Sequence, residues 1–353
     1  MCSAYLRMPQ PKNNTERECK KMDEHKLMMN VANKADSLKM ISYQQAKVLE
    51  MQAEYADAAF NTSAGTYSDL RSNYRKERAI WNSGGPEMAE SKDISIPFGD
   101  GVVKTRLLRP TLEENLPILF YIHGGGMVVG DNDTHSLVQR KLALFSGCAV
   151  VGIDYTLAPD AQYPLPIDES YAACQYFVTH AAEYGLDSSR IGFSGDSGGA
   201  NMSMGVIIKL RDNGFDMGTI KAALLYYGGY GLGDSVSKRL YGGAWDGLTE
   251  QDLIFYQKMY IGEMAPVDCP YYNIYVNDLS FGIPPCFIVA AELDPLVDDS
   301  RLMYSILSEK GFDCEYHEYK GAIHAFLHYS KVMDDAEDAI RRGAHYFAKK
   351  CGR

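Results

Sequence analysis

A serine hydroxyl becomes a useful nucleophile only when a base takes its proton and an acid orients that base. The 353-residue chain carries a serine in a suitable setting at Gly195-Asp196-Ser197-Gly198-Gly199, inside the run IGFSGDSGGANMS. This is a G-x-S-x-G pattern placed between an apolar, strand-like run and a helical one. A tight strand-to-helix turn of that kind exposes the serine and needs near-hydrogen side chains on either side. The helix that follows also lends partial positive charge to a developing oxyanion. On its own the pattern is equally well a plain tight turn in a glycine-rich chain.

A second stretch, His123-Gly124-Gly125-Gly126, follows directly on the apolar run ILFYI. Acyl transfer needs bare backbone N–H groups near its nucleophile, and three successive glycines supply them. Gly124, Gly125 and Gly126 are therefore candidate oxyanion donors, with His123 and Asp196 as supports of the two motifs. The competing reading, a phosphate-binding glycine loop, lacks its signatures: G-x-x-x-x-G-K-[ST] and a strand-linked G-x-G-x-x-G are both absent.

The base and acid are expected after the serine, acid first, each just past a strand. Of the late histidines, His317 falls inside the strand-like CEYHEY and His345 in a terminal helical segment, whereas His324 sits in the loop opened by Gly321. His324 is the candidate base, with His328 second. Asp294 lies just beyond the run CFIVAAE and is the candidate acid. Glu292 is still on that strand, and Asp298 is one turn into the next helix, where it can help position the loop.

Metal chemistry is poorly supported. His324-Ala-Phe-Leu-His328 lacks the Glu of H-E-x-x-H, and Asp131-Asn132-Asp133 lacks the remainder of a calcium loop. No metal or organic cofactor is expected. The pairs Asp298-Asp299 and Asp334-Asp335 read as first-turn charges that complement helix dipoles.

The elements that must position these residues alternate. Strand-like runs at 94–98, 102–108, 118–123, 149–154, 191–196, 222–228, 286–292 and 314–319 are separated, from the third onward, by helical segments at 134–146, 167–185, 198–212, 298–310 and 334–350. Such alternation predicts a mostly parallel sheet with helices on both faces. Residues 229–285 break the rhythm with glycine-rich and tyrosine-rich loop around a helix near 249–261, an excursion of the kind that covers a site. Residues 29–85 predict two or three amphipathic helices closed by Asn-Ser-Gly-Gly-Pro, and residues 1–28 a frayed or disordered extension.

The net charge of −11 argues against a nucleic-acid partner, which would need cations set against phosphates. No run approaches the length of a membrane span, and the first residues lack the apolar stretch of a secretory signal. The eight cysteines include no C-x-x-C pair, and several sit in apolar runs. A cytoplasmic location and a small-molecule ester substrate, with no membrane, are the expectations; an oligomer or protein partner is not legible.

With these residues in place, the chain resembles the hormone-sensitive-lipase family of α/β-hydrolases, and within it the bacterial acetyl esterases. The stretches that carry the resemblance are YIHGGGMVVG, GIDYTLAPDAQYPLP, RIGFSGDSGGAN, DSVSKRLYGGAWDGLTEQDL, ELDPLVDDSRL and HAFLHYS, from about residue 70 to the C-terminus. The resemblance implies an α/β-hydrolase fold with an eight-stranded sheet and a helical cap built from the N-terminal helices and residues 229–285. It implies an oxyanion hole from the N–H groups of Gly125, Gly126 and Gly198, and a preference for short acyl esters. Thr156, Asp160 and Gly198 depart from the family's usual Arg, Glu and Ala. Two alternatives stay open: an amidase or peptidase on the same three residues, and a catalytically silent ligand-binding protein. Tyr226, Tyr227, Tyr230, Tyr241 and Trp245 either narrow an acyl pocket or serve as ordinary packing.

Overall fold

A computed structural model of the chain describes residues 33–59, 66–243 and 248–353, with side chains of 55–59 left out. The expected extension at 1–28 and Trp245 lie outside the described residues.

Eight strands form one sheet. They are β1 (Glu90–Phe98), β2 (Gly101–Arg109), β3 (Leu116–Ile122), β4 (Ala149–Asp154), β5 (Leu186–Asp196), β6 (Ile220–Tyr226), β7 (Cys286–Ala291) and β8 (Cys314–Tyr319). Their order in space is β1-β2-β4-β3-β5-β6-β7-β8. The β1–β2 and β2–β4 pairs are antiparallel, and every other pair is parallel. β3 and β7 are buried along their whole length, as a parallel sheet covered on both faces requires.

The helices that cover it are α1 (Tyr43–Ala59), α2 (Tyr67–Asn82), α3 (Ser136–Ser146), α4 (Leu165–Thr179), α5 (Gly198–Asp212), α6 (Val236–Leu240), α7 (Glu250–Ile261), α8 (Val297–Glu309) and α9 (Asp334–Lys350). On one face Ile167 and Phe177 of α4, Ile207 of α5 and Met303 of α8 join a core with Phe120 and Phe193 of the sheet. On the other, Val138 and Leu142 of α3 and Ile340 and Phe347 of α9 pack with Tyr121, Leu224 and Phe287.

The sequence expectations hold with local shifts. The expected helix over 167–185 divides into α4 and a short 3-10 turn at Ala181–Tyr184. β6 stops at Tyr226, because Tyr227 turns to a positive φ of 39° and cannot continue a strand. The α9 first turn carries Asp334, Asp335 and Glu337, and its last turn Lys349 and Lys350, so its dipole is complemented at both ends.

Chain order reverses direction at β3: β4 lies on one side of it and β5 on the other. Open α/β sheets bind ligands outside the carboxyl ends of strands at such a switch point. The loops that leave β3, β5, β7 and β8 there begin with His123, Ser197, Glu292 and Lys320.

Candidate active site

Ser197 sits between β5 and α5 with φ 53° and ψ −122°, a strained conformation for a residue with a side chain. Its own N–H donates to Tyr226 O at 2.8 Å, which holds the turn against the end of β6. Gly195 and Gly199 are the sterically required neighbours. A Cβ on Gly199 would fall 2.0 Å from Ile122 O, and one on Gly195 would fall 2.4 Å from Gly199 O.

The hydroxyl of Ser197 lies 2.8 Å from Nε2 of His324, and Nδ1 of His324 lies 2.7 Å from Oδ2 of Asp294. Asp294 is fully buried, and its other oxygen accepts the N–H of Leu296 at 2.8 Å. The loops that present the acid and the histidine are tied to each other, since Leu293 N–H donates to Ala322 O at 3.0 Å and Glu292 N–H to Tyr319 O at 3.1 Å. Tyr227 covers the imidazole, its ring edge-on at 5.2 Å between centroids.

The other late histidines lie elsewhere. His317 packs on Phe287 and His345 is exposed on α9. His328 is buried below the serine, with Nε2 3.7 Å from Oδ2 of Asp196, and burial pushes its pKa down to about 3.

The glycine loop after β3 wraps around the start of α5, with Gly126 N 3.5 Å from the position a Gly198 Cβ would take. Gly124 differs from its neighbours: its N–H donates to Oδ1 of Asp196 at 3.0 Å. It is thus already spent on the protein, which corrects its inclusion among the oxyanion donors. For the N–H groups of Gly125, Gly126 and Gly198 there is no acceptor among the described residues.

Asp196 supports both motifs. Besides Gly124 it accepts the Tyr121 hydroxyl at 2.7 Å, and His135 Nε2 faces it at 3.5 Å. Burial works to raise its pKa, but the facing histidines, His135 foremost, hold it well below the usual carboxylate range. His123 stacks on Tyr155 at 4.4 Å and donates from Nδ1 to Gly124 O at 2.8 Å, and burial lowers its pKa to about 4.

Asp298 accepts the Ser237 N–H at 2.8 Å, which ties the start of α8 to α6. Its neighbour Asp299 is more than a first-turn charge. It is fully buried, and Oδ1 accepts the N–H groups of Tyr230, Gly231 and Leu232 at 2.7, 3.1 and 3.2 Å. It therefore fixes the glycine-rich loop that leaves β6. The adjacency of two acids hid this, because the sequence does not say which one turns inward. His135, Asp131 and Asp133 also have partners invisible in the sequence: Asp131 pairs with Arg75 and Asp133 with Arg106, so neither carboxylate is free for a cation.

Above Ser197 lies a cavity of about 210 Å³. Tyr74 and Arg78 of α2 line it, together with Leu248, Leu253, Tyr256 and Tyr272 of the excursion and Gly125, Gly126 and Met127 of the glycine loop. Helix α2 and described parts of the 229–285 excursion therefore wall the site. Among the described residues, the tyrosine rings in the wall are Tyr74, Tyr256 and Tyr272. Tyr226 and Tyr227 pack in the core instead, as does Tyr230.

A family model described as alpha/beta hydrolase fold matches residues 119–328, more than half of the chain. Among solved structures, an esterase of Pyrobaculum calidifontis is 28% identical, with a TM-score of 0.79 over 88% of this chain and 99% of its own. The ester-hydrolase EH1AB1 from the metagenome of Lake Arreo, complexed with a derivative of bipyridine phosphonate, is 26% identical, with a TM-score of 0.82 over 89% of this chain and 100% of its own. EstE1, a thermostable carboxylesterase cloned from a metagenomic library, is 27% identical, with a TM-score of 0.77 over 82% of this chain and 99% of its own. The sheet order, the turn at Ser197 and these matches agree: the chain belongs to the α/β-hydrolase fold family, in the hormone-sensitive-lipase branch that its motifs resemble.

Proposed function

We propose that the protein is a serine carboxylesterase that hydrolyses small carboxylic esters of short acyl chains. The observation that carries this reading is the unbroken chain of polar contacts from Ser197 through His324 to Asp294, beside glycine N–H groups that have no acceptor among the described residues. The esterase names of the similar structures support the reaction class.

In this reading Ser197 Oγ attacks the ester carbonyl while His324 Nε2 takes its proton. Asp294 keeps the imidazole in the tautomer with Nδ1 protonated and stabilises the imidazolium. The oxyanion is held by the N–H groups of Gly125, Gly126 and Gly198. His324 returns its proton to the leaving alcohol, and water repeats the sequence on the acyl-enzyme.

The cavity supports short chains, since its volume of about 210 Å³ falls below the roughly 300–1,000 Å³ of pockets that hold drug-sized ligands. Among the described residues no helix is long and apolar enough to cross a membrane. A reducing, cytoplasmic setting is part of the proposal, in which Cys148, Cys174 and Cys286 serve as buried core thiols.

Hydrolysis of acetate to decanoate esters tests substrate class and chain length together. Acetate to butyrate should be turned over fastest, and Ser197→Ala should abolish turnover with the fold intact. Octanoate or decanoate as best substrate would refute the short-chain part, and undiminished turnover by Ser197→Ala would refute the whole.

A further inference from the structure

Arg78 sits on the face of α2 that also carries Tyr74 and Trp81, at helical spacings that turn all three inward, Trp81 into the core and Tyr74 and Arg78 to the cavity. It is about nine-tenths buried, yet it lines the cavity above Ser197. Its guanidinium lies over the Tyr74 ring at 4.9 Å, and Nη1 donates to the Tyr329 hydroxyl at 3.1 Å. Glu77 places Oε2 3.1 Å from Nε without the alignment of a hydrogen bond, so the buried Nε–H has no acceptor. Besides the Tyr329 hydroxyl, the polar neighbours of the guanidinium are Glu77 and the Tyr74 hydroxyl.

A guanidinium carries five N–H donors and stays charged at any physiological pH. Leaving such donors empty in a buried position is costly, and a planar fork is built to meet a carboxylate. The two carboxylates that line the cavity do not meet it. Asp196 is engaged by Tyr121, Gly124 and the two histidines, and Asp299 by three backbone N–H groups and Lys238. Glu77, outside the wall, pairs with Nε through Oε2 and spends Oε1 on Gln52 and Trp81, so the side of the guanidinium that faces the cavity is left to a ligand.

We propose that Arg78 is a specificity-determining residue that receives a carboxylate on the substrate, so that the preferred esters are small and bear a negative charge away from the scissile bond. This rests on the esterase reading of the site and adds the substrate class to it. Arg78 takes no part in the proton transfers. It holds one end of the ester while Ser197 reacts at the other.

The test compares esters that differ in charge but little in size: monoethyl succinate against ethyl butyrate for an acyl-side anion, and O-acetylglycolate against isobutyl acetate for an alcohol-side anion. Each kcat/KM is normalised to the ester's alkaline hydrolysis rate. The wild-type chain should favour the charged member of at least one pair by about tenfold or more, the scale of one charge-assisted hydrogen bond. Arg78→Met should erase that preference through KM, and Arg78→Lys should restore part of it. Because Arg78 also steadies Tyr329, the variant could lose overall activity, but a folding defect lowers both rates and leaves their ratio unchanged. A ratio that stays the same in Arg78→Met, or a wild-type preference for the neutral member of both pairs, would overturn the proposal. Failure to hydrolyse any of the four esters would instead bring down the esterase reading itself, and this inference with it.

Discussion

Asp196 Oδ1 accepts the N–H of Gly124 at 3.0 Å, so the acid next to Ser197 also fixes the loop that carries Gly125 and Gly126, the proposed oxyanion donors. One buried carboxylate thus sets the spacing between Ser197 and the Gly125 and Gly126 N–H groups. Replacing it by Ala would leave the Tyr121 hydroxyl and the Gly124 N–H without an acceptor. Asp196→Ala should cost about 3–5 kcal/mol, as does breaking other buried charge networks, and should lower kcat more than it raises KM. Urea unfolding together with steady-state rates on an acetate ester would check both parts.

The turn around Ser197 tolerates no side chain at Gly199, where a Cβ would meet Ile122 O at 2.0 Å. The contact is with backbone, which cannot swing aside. Gly199→Ala should lose about 3 kcal/mol or more. A urea midpoint within error of wild type would show that the β3 end and the α5 start are not as close as described.

Two histidines set an acid limit. Burial lowers His328 to about 3 and His123 to about 4, whereas each would titrate near 6.5 in the unfolded chain. Between those values the unfolded state binds more protons than the native one, so stability is fully present above about pH 6.5 and falls as the pH drops toward 4. The slope is at most ~1.4 kcal/mol per pH unit for each group. Thermal melting across this range should show a steady fall, shallower in His328→Asn than in wild type.

How far the sequence foretold this site depended on whether a feature is local. The elbow at Ser197, the glycines after β3, and the placement of Asp294 and His324 after successive strands are all short-range patterns, and the structure brings those residues together as their order implied. The sheet was legible for the same reason, since each strand is a brief apolar run bounded by turn residues. Arg78 and Asp299 were not legible. Each is a charged residue in an ordinary helix, and its importance comes from partners more than sixty residues away or from burial that no local pattern reports. The i, i+3 spacing of Arg78 and Trp81 was the one available hint of an inward-facing arginine. Gly124 shows the opposite failure: the sequence offers its N–H as free, and only the fold reveals that Asp196 has taken it.

The excursion depends on a buried acid as well. Asp299 accepts three successive backbone N–H groups from residues 230–232, and those residues lead into the wall of the cavity. Asp299→Ala should raise KM for short esters several-fold and destabilise the chain by about 3 kcal/mol, with a smaller effect on kcat. Unchanged KM would separate this loop from substrate binding.

A fluorophosphonate reports most directly on the central claim that Ser197 is the nucleophile of an esterase, because it reacts with an activated serine and not with a passive one. Incubation of the purified protein followed by peptide mass spectrometry should find one adduct per chain, on Ser197, with loss of acetate-ester hydrolysis in proportion to labelling. An unlabelled Ser197 in protein that still hydrolyses the ester would contradict the account.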